Sequence, residues 1–324
     1  MRKIRWQSVT SLVLIGIFVL AALAAPWLSP SAEAGSAQPY KRVGIISDRV
    51  PHPPNAQAIL GTVPTQLDVF HTLVWGARYE LLFGLSVTLV SACLGTLLGA
   101  LSGYLGGALN RISMRITDGF LTFPVIAAVV FIGMIYGILS SRVTVLAQAP
   151  PVGAVAQAVQ VEQGNMLFDS LTGWASNLFL LVKPFPLAII LFSWMPYTRM
   201  INGQVVNLKQ AEFVKAAEAT GVRKLRIVWK HLLPNAIAPN IVLATRDIGG
   251  LVILRATFTY IGLTDGSPWA TILVAGRNYV IGPGGNPGHY WWVYLPITLA
   301  IMLFGLAWNL FGDEVNRWLN PRER

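Results

Sequence analysis

Residues 81–105 read LLFGLSVTLVSACLGTLLGALSGYL, a stretch without a single charged side chain. As an α-helix it is long enough to cross the ~30 Å hydrocarbon core of a bilayer, which takes about 20 residues. Gly95, Gly99 and Gly103 recur at every fourth position, so their missing side chains lie on one face of that helix. The stretch therefore predicts a transmembrane helix whose glycine stripe lets a neighbouring helix approach closely.

Five further apolar runs of similar length accompany this stretch. The composition agrees with a membrane protein, because 54% of the 324 residues are hydrophobic, only 12% are charged, and the mean hydropathy is +0.57. We predict an all-α, polytopic membrane protein with about six transmembrane helices, at residues 9–28, 81–105, 117–139, 175–196, 236–263 and 292–311.

The net charge of +10 indicates topology rather than nucleic-acid binding. Of the 24 Lys and Arg residues, 15 lie at the two termini, at 111–115 and at 199–230, segments that share one side of the membrane if there are six spans. Basic residues are retained on the cytoplasmic side. We therefore expect an inner (cytoplasmic) membrane protein with both termini in the cytoplasm, and no nucleic-acid partner, since no compact basic domain or aromatic-basic platform occurs.

The N-terminal residues 1–28 have two readings. A basic start followed by an apolar run is typical of a cleaved signal peptide, but the run has nearly 20 residues, more than the ~7 to 15 of a signal core. We interpret residues 1–28 as a retained transmembrane anchor, with cleavage as the alternative. Residues 29–78 and 140–173 are polar or rich in turn-forming residues, and the charge distribution predicts that both are external.

Residues 200–235 form the largest predicted cytoplasmic segment. The sequence QAEFVKAAEATG at 210–221 predicts a short helix over 209–220 that ends at Gly221, the residue type favoured just past a helix end. A second, basic amphipathic helix follows from Arg223, and Pro234 is expected to break it. From these residues alone, the segment is either a docking surface for another protein or a solvated connection.

The same segment resembles the EAA loop of binding-protein-dependent ABC importer permeases, whose signature is Ala-Ala, a later Gly and a downstream Leu-Pro. The positions that match this ATPase-coupling loop are Glu212, Lys215, Ala216, Ala217, Gly221, Leu233 and Pro234. Further motifs are similar to the peptide/nickel branch, and to the second permease of dipeptide and oligopeptide systems: Gly76-Ala77-Arg78, residues 103–107, Phe123-Pro124, residues 309–313 and Asn320-Pro321-Arg322.

The resemblance implies a type I ABC importer permease fold, with a permease domain at 79–324 and its coupling loop at about 200–235. It also implies a heteromeric importer: a homologous second permease, two cytoplasmic ATPase subunits and an external solute-binding protein, assembled in the lipid bilayer. ATP and Mg would bind the partner ATPase and no cofactor would bind this chain, which has no phosphate-binding loop motif.

The chain is not expected to be an enzyme. Its four histidines are scattered and no metal or nucleophile motif occurs, so we predict no catalytic residue and no metal site. The alternative to an importer subunit is a secondary transporter or channel, which would need coupling-ion ligands or repeated halves.

The fifth predicted span departs from the resemblance. Family members have an acidic residue where this chain has Arg255, and Arg246 and Asp247 lie upstream in the same span. Ionisable groups inside a span are costly and usually face protein or a water-filled path. The hypothesis is that Arg246, Asp247 and Arg255 line or gate the pore. In the alternative, Arg255 extends to the outer boundary and Asp247 pairs with a neighbouring helix.

Overall fold

The computed structural model describes residues 6–31, 38–45, 47–135, 184–263 and 266–319. Nearly all of their regular structure is helical, as predicted. The expected external segment 140–173 lies outside the described residues, as do 136–139 of the third predicted span and 175–183 of the fourth.

The described helices follow one another along the chain with one small hairpin between the first two. The helices are α1 (Trp6–Leu28), α2 (Val69–Leu105), α3 (Gly107–Leu121), α4 (Val125–Ile135), α5 (Pro184–Ser193), α6 (Met195–Leu208), α7 (Glu212–Ala219), α8 (Lys224–Ile227), α9 (Leu233–Ala236), α10 (Ala238–Tyr260), α11 (Pro268–Ile281) and α12 (Trp291–Leu319). A π-helical turn, Val228–Leu232, joins α8 to α9. Strands β1 (Thr62–Val63) and β2 (Leu67–Asp68) pair antiparallel around the 3₁₀ turn Pro64–Gln66.

Three to five of these helical units can cross a membrane. The helices α1, α2 and α12 are each long and apolar enough. Two bent pairs also qualify when each is taken as one span: α3 with α4, bent by 86°, and the helical segment Lys224–Ala236 with α10, bent by 61°. The remaining predicted span, 175–196, is described only in part, as α5 and the start of α6.

The helix α2 begins at Val69, well before residue 81, where the sequence predicted the span to begin. Asp68 caps it by accepting hydrogen bonds from the backbone N–H groups of Phe70 and His71. A hydropathy pattern does not detect the first turns of α2 because they carry polar residues. His71 is nevertheless buried, and its Nδ1 lies 2.7 Å from Ser29 Oγ. The first ten residues of α2 thus fall within the segment predicted to be external.

The glycine stripe of α2 packs against α6, as predicted. A Cβ atom added at Gly99 would overlap Ile201 and the carbonyl oxygen of Thr198, and one added at Gly95 would overlap the carbonyl oxygen of Trp194. Polar contacts use the close approach, since Thr198 Oγ1 donates to the Gly95 carbonyl at 3.1 Å. The two helices therefore meet nearly backbone to backbone.

The largest apolar cluster joins α2, α10, α11 and α12, and α1 packs onto it. The Phe18 ring of α1 meets Phe304 of α12 edge to face at 5.1 Å. Trp269, at the start of α11, is fully buried and its Nε1 donates to the Leu73 carbonyl of α2 at 3.0 Å. We call the end of the bundle with β1 and β2 the hairpin end, and the end with residues 200–235 the loop end; α2 runs from one to the other.

Replacing Gly99 by alanine should destabilise the bundle by about 1–3 kcal/mol, because the added methyl group forces α2 and α6 apart. The midpoint of thermal unfolding of the purified chain in detergent measures this. The matched control is Gly119→Ala in α3, where an added Cβ meets nothing within 4 Å. An equal midpoint for the two variants would show that the stripe is not a packing contact.

Candidate functional site

The segment at the loop end folds as a packed unit built on α7. The helix spans Glu212–Ala219, shorter at both ends than the predicted 209–220. It does not begin at 209 because Lys209 ends α6 instead, with its backbone N–H donating to the Val205 carbonyl at 2.9 Å, while its Nζ donates to the Tyr104 carbonyl at 2.6 Å. At its other end Gly221 adopts φ +73°, as its predicted position past the helix end requires.

The end of α7 has the hydrogen bonds of a Schellman motif. The Val222 N–H donates to the Ala217 carbonyl at 3.2 Å, and the Gly221 N–H donates to the Glu218 carbonyl at 3.0 Å. This pattern needs a left-handed residue at position 221, which costs a residue with a side chain about 1–2 kcal/mol. Glycine adopts the conformation freely.

A tyrosine ties α7 to the end of α2. Tyr104 Oη donates to Glu218 Oε1 at 2.9 Å, and Lys209 Nζ lies 5.3 Å from the centre of the Tyr104 ring. Neither Glu218 nor Lys209 is among the coupling-loop positions that match the family motif. The motif at 103–107 contained Tyr104, but nothing local in the sequence indicates that this ring meets residues more than a hundred positions away.

The inner face of the loop is buried in a core of its own. Val214, the buried residue of α7, packs there with residues from α2, α6 and the segment that leads to α10; the cluster comprises Ala100, Tyr104, Ile201, Val205, Val214, Ile227, Val228, Leu232 and Ala236. The loop is therefore an ordered element packed on the bundle, and its role as a docking surface stays a prediction.

The outer face of the loop is open among the described residues. Glu212, Lys215, Ala216 and Gly221 are exposed and Ala217 is half-buried. Large apolar side chains of the same segment are exposed as well, with Phe213 42%, Leu225 60% and Trp229 51% exposed. A face with small side chains, charges at its edge and exposed apolar groups suits contact with another protein.

Pro234 does not break the helix as predicted. Leu233 is half-buried, Pro234 is exposed, and both lie within the continuous helical segment Lys224–Ala236. A proline removes one backbone donor and crowds the carbonyl four residues earlier, and the π-helical turn at Val228–Leu232 absorbs that mismatch. The 61° bend comes later, between Ala236 and Ala238.

The three ionisable residues of α10 face three different helices and do not form one site. Arg246 Nη2 lies 2.5 Å from Asp313 Oδ1 of α12, and both side chains are about half exposed. Asp247 Oδ2 accepts a hydrogen bond of 2.6 Å from Tyr197 Oη of α6. Each charge or carboxyl group thus has a partner within the chain.

Arg255 pairs with a residue that the sequence analysis missed. Its Nη1 lies 3.1 Å from Glu80 Oε2 of α2, and the two side chains are 9% and 0% exposed. Arg255 therefore does not extend to the outer boundary, as the alternative reading expected. In the sequence, Glu80 could be recognised as a charged residue near the polar start of α2. Its pairing with Arg255 could not be predicted from the sequence.

At the hairpin end, His52 and Asp48 form an exposed pair. His52 Nε2 lies 2.7 Å from Asp48 Oδ2, and this hydrogen bond, with a second from the Val50 N–H, lowers the pKa of the Asp48 carboxyl below its ordinary value. Within the described ranges no group of three or more His, Cys, Asp or Glu side chains is placed to hold a metal ion.

Comparison with known proteins gives one family and several relatives along nearly the whole chain. The profile of the family described as "Binding-protein-dependent transport system inner membrane component" matches residues 95–324. The chain is 29% identical to a probable D,D-dipeptide transport system permease protein of Escherichia coli (strain K12), over 97% of this chain and 87% of that protein.

Two further relatives carry different names. A nickel transport system permease protein of Escherichia coli (strain K12) is 26% identical over 98% of this chain and 95% of its own length. A dipeptide transport system permease protein of Alkalihalophilus pseudofirmus is 27% identical, over 97% and 86%.

Replacing Gly221 by alanine should loosen the end of α7. The forced left-handed conformation costs about 1–2 kcal/mol, which predicts at least fivefold faster hydrogen exchange of the backbone amides near residues 217–222. Hydrogen-exchange mass spectrometry of the purified chain measures this. The control is Gly203→Ala in α6, where the added Cβ meets nothing within 4 Å and φ is not positive. Exchange rates that do not differ between these variants would contradict the Schellman end.

Proposed function

The chain belongs to the family of binding-protein-dependent transport system inner membrane components, and on that premise we propose that it forms the translocation path of an ATP-driven importer and couples to separate ATPase subunits through residues 200–235. It is a multi-span permease component of a transport system of the peptide and nickel class. The observation that carries the coupling proposal is α7, which is packed on its inner face, tied to α2 and open on its outer face.

The outer face of α7 is the proposed contact with an ATPase subunit. Ala216 and Ala217 let a partner approach the helix backbone, while Glu212 and Lys215 offer charges at the edge. Lys215 stands at the first position of the Glu-Ala-Ala after which the family's loop is named, where the motif has an acidic residue. The proposed contact with the ATPase therefore relies on close packing rather than on an ion pair made by an acidic residue at this position. ATP and Mg bind the partner subunits in this scheme.

Movement of the ATPases reaches the membrane through two connections. One is the hydrogen bond between Tyr104 and Glu218, which joins α7 to the end of α2. The other is the apolar cluster around Val214, which joins α7 to α6 and to the segment before α10. Packed helices of this kind move as rigid bodies, so a displacement of α7 tilts the helices and alternates access to the path.

The proposed topology places the loop end in the cytoplasm and the hairpin end outside. Both termini then lie in the cytoplasm, because Ser8 Oγ of α1 donates to Glu314 Oε2 near the end of α12 at 2.6 Å. Arg246 links the same end of α12 to the first half of α10. The contacts of α1 with this bundle also support a retained anchor at residues 1–28. A solute-binding protein would deliver its cargo at the hairpin end, and a homologous second permease would complete the path.

The substrate class we propose is peptides or similar small solutes. Relatives named for D,D-dipeptides, dipeptides and nickel match this chain at similar identity. Two of these three names refer to peptides, which supports peptides as the substrate class. The role of Arg246, Asp247 and Arg255 in the pore or its gate stays a prediction. Their contacts with α12, α6 and α2 support a gate more than a lining of the pore, because each group already has a partner on another helix.

Tryptophan at Ala216 should separate the chain from its ATPases. The side chain is exposed, so the fold tolerates the change, but the bulk prevents close approach to α7. Tagged wild-type chain purified gently from its native membrane should bring down a second permease and ATPases, identified by mass spectrometry. With Ala216→Trp, ATPase recovery should fall at least tenfold while the second permease is retained, and uptake of a labelled dipeptide should be lost.

The matched control is Ala56→Trp, an exposed alanine in the segment at the hairpin end. It should leave ATPase recovery unchanged. Equal ATPase recovery with Ala216→Trp would overturn the coupling role of α7. Recovery of the wild-type chain alone, as a stable homo-oligomer, would overturn the importer and favour a secondary transporter or channel.

A further inference from the structure

The turn between α10 and α11 starts at the surface, where Ile261 and Leu263 are exposed, and ends inside the bundle, where Ser267 is fully buried. The turn leads into Ser267, which contacts Glu80, and Glu80 lies eleven residues into α2. At 1.5 Å per residue this is about 17 Å of helix from the hairpin end. A helix end at that depth leaves backbone carbonyl and N–H groups without helical partners, and hydrocarbon supplies none.

Arg255 supplies a donor to this turn while it pairs with Glu80. Its Nη1 lies 3.1 Å from Glu80 Oε2, and its Nη2 donates to the Gly266 carbonyl. The guanidinium also lies 4.4 Å from the centre of the Phe83 ring. One side chain of α10 therefore contacts both α2 and the turn that follows α10.

Glu80 completes the arrangement from the other side. Its second oxygen, Oε1, accepts a hydrogen bond of 2.6 Å from Ser267 Oγ. Ser267 is the N-cap of α11: its Oγ accepts from the Ala270 N–H at 3.2 Å, and its own N–H donates to Thr259 Oγ1 at 3.1 Å. The carboxylate thus reaches the N-cap of α11 as well as the guanidinium of α10.

We propose that Glu80 and Arg255 form a clasp that fixes Gly266 and Ser267, at the end of the α10–α11 turn, so that α2, α10 and α11 move as one unit at the hairpin end. Glu80 and Arg255 are positioning residues, since they act on the turn. Both charges are needed together, because removing one partner of a buried ion pair leaves the other charge uncompensated. They are needed as polar groups, because an apolar pair would remove the hydrogen bonds to the Gly266 carbonyl and the Ser267 hydroxyl.

The clasp connects the hairpin end to the loop end through a single helix. Glu80 and Tyr104 lie on the same uninterrupted α2, separated by about 36 Å of helix. A displacement of α7 that reaches Tyr104 is therefore transmitted to the turn. This consequence rests on the proposed function, whereas the clasp itself does not.

The test uses hydrogen-exchange mass spectrometry on the full-length chain in lipid nanodiscs. The exchanged variant Glu80→Arg/Arg255→Glu keeps the buried charges balanced, but a carboxylate at 255 cannot donate to the Gly266 carbonyl. We expect it to accumulate within twofold of wild type while amides of residues 261–270 exchange at least tenfold faster. Arg255→Lys keeps the charge but cannot reach both partners, and should give a smaller increase of at least threefold.

The matched control is Arg246→Gln, which removes another paired arginine of α10 at the loop end. It should leave exchange at 261–270 unchanged. Wild-type exchange of the turn in either clasp variant overturns the proposal, as does failure of both to accumulate, since charge balance would then not suffice for folding. This readout needs neither ATPase nor substrate, so it stands apart from the importer proposal.

Uptake at matched protein levels tests the link to transport. The exchanged variant should carry less than a tenth of the wild-type flux of labelled dipeptide, whereas a purely structural pair would leave flux per molecule unchanged. Faster exchange with full flux would retain the clasp and overturn its transmission to transport.

Discussion

Hydrocarbon offers no hydrogen-bond partner, and the placement of polar groups in this bundle follows from that constraint. The Asn240 amide of α10 donates to Thr96 Oγ1 and to the Tyr197 carbonyl, at 2.9 and 3.2 Å. Thr198 meets the Gly95 carbonyl in the same region. Such bonds form only where helices come very close, which explains why the glycines of α2 face the polar side chains of α6.

The helix α2 joins the hairpin end of the bundle to the loop end without interruption. It carries Glu80 in the half near the hairpin end, the glycine stripe in the other half, and Tyr104 at the loop end. The stripe holds it against α6, and Glu80 holds it against α10 and the start of α11. Because each of these contacts is tight and specific, α2 has little freedom to move independently of its neighbours.

The loop end and the hairpin end differ in where their polar side chains lie. At the loop end, small and charged side chains lie outward over an apolar cluster, so that a partner can contact an element already fixed to the bundle. At the hairpin end, buried polar contacts lock the chain to itself, as Glu80, Arg255 and Ser267 show. In the proposed importer, the loop end contacts the ATPase subunit and the hairpin end limits the movement that follows.

The sequence by itself determined the helical class, most of the spans and the short helix that ends at Gly221, because hydrophobic length and a helix-ending glycine are local properties. Local patterns predicted the wrong helix bounds at two places. The helix α2 already starts at Val69, because polar residues in its first turns are buried. Pro234 stays helical because the π-helical turn before it accommodates the missing donor. Only the tertiary structure paired Glu80 with Arg255, 175 positions apart, and Tyr104 with Glu218, 114 positions apart. Charge pairing between distant residues depends on which helices become neighbours, and no local spacing in one chain encodes that.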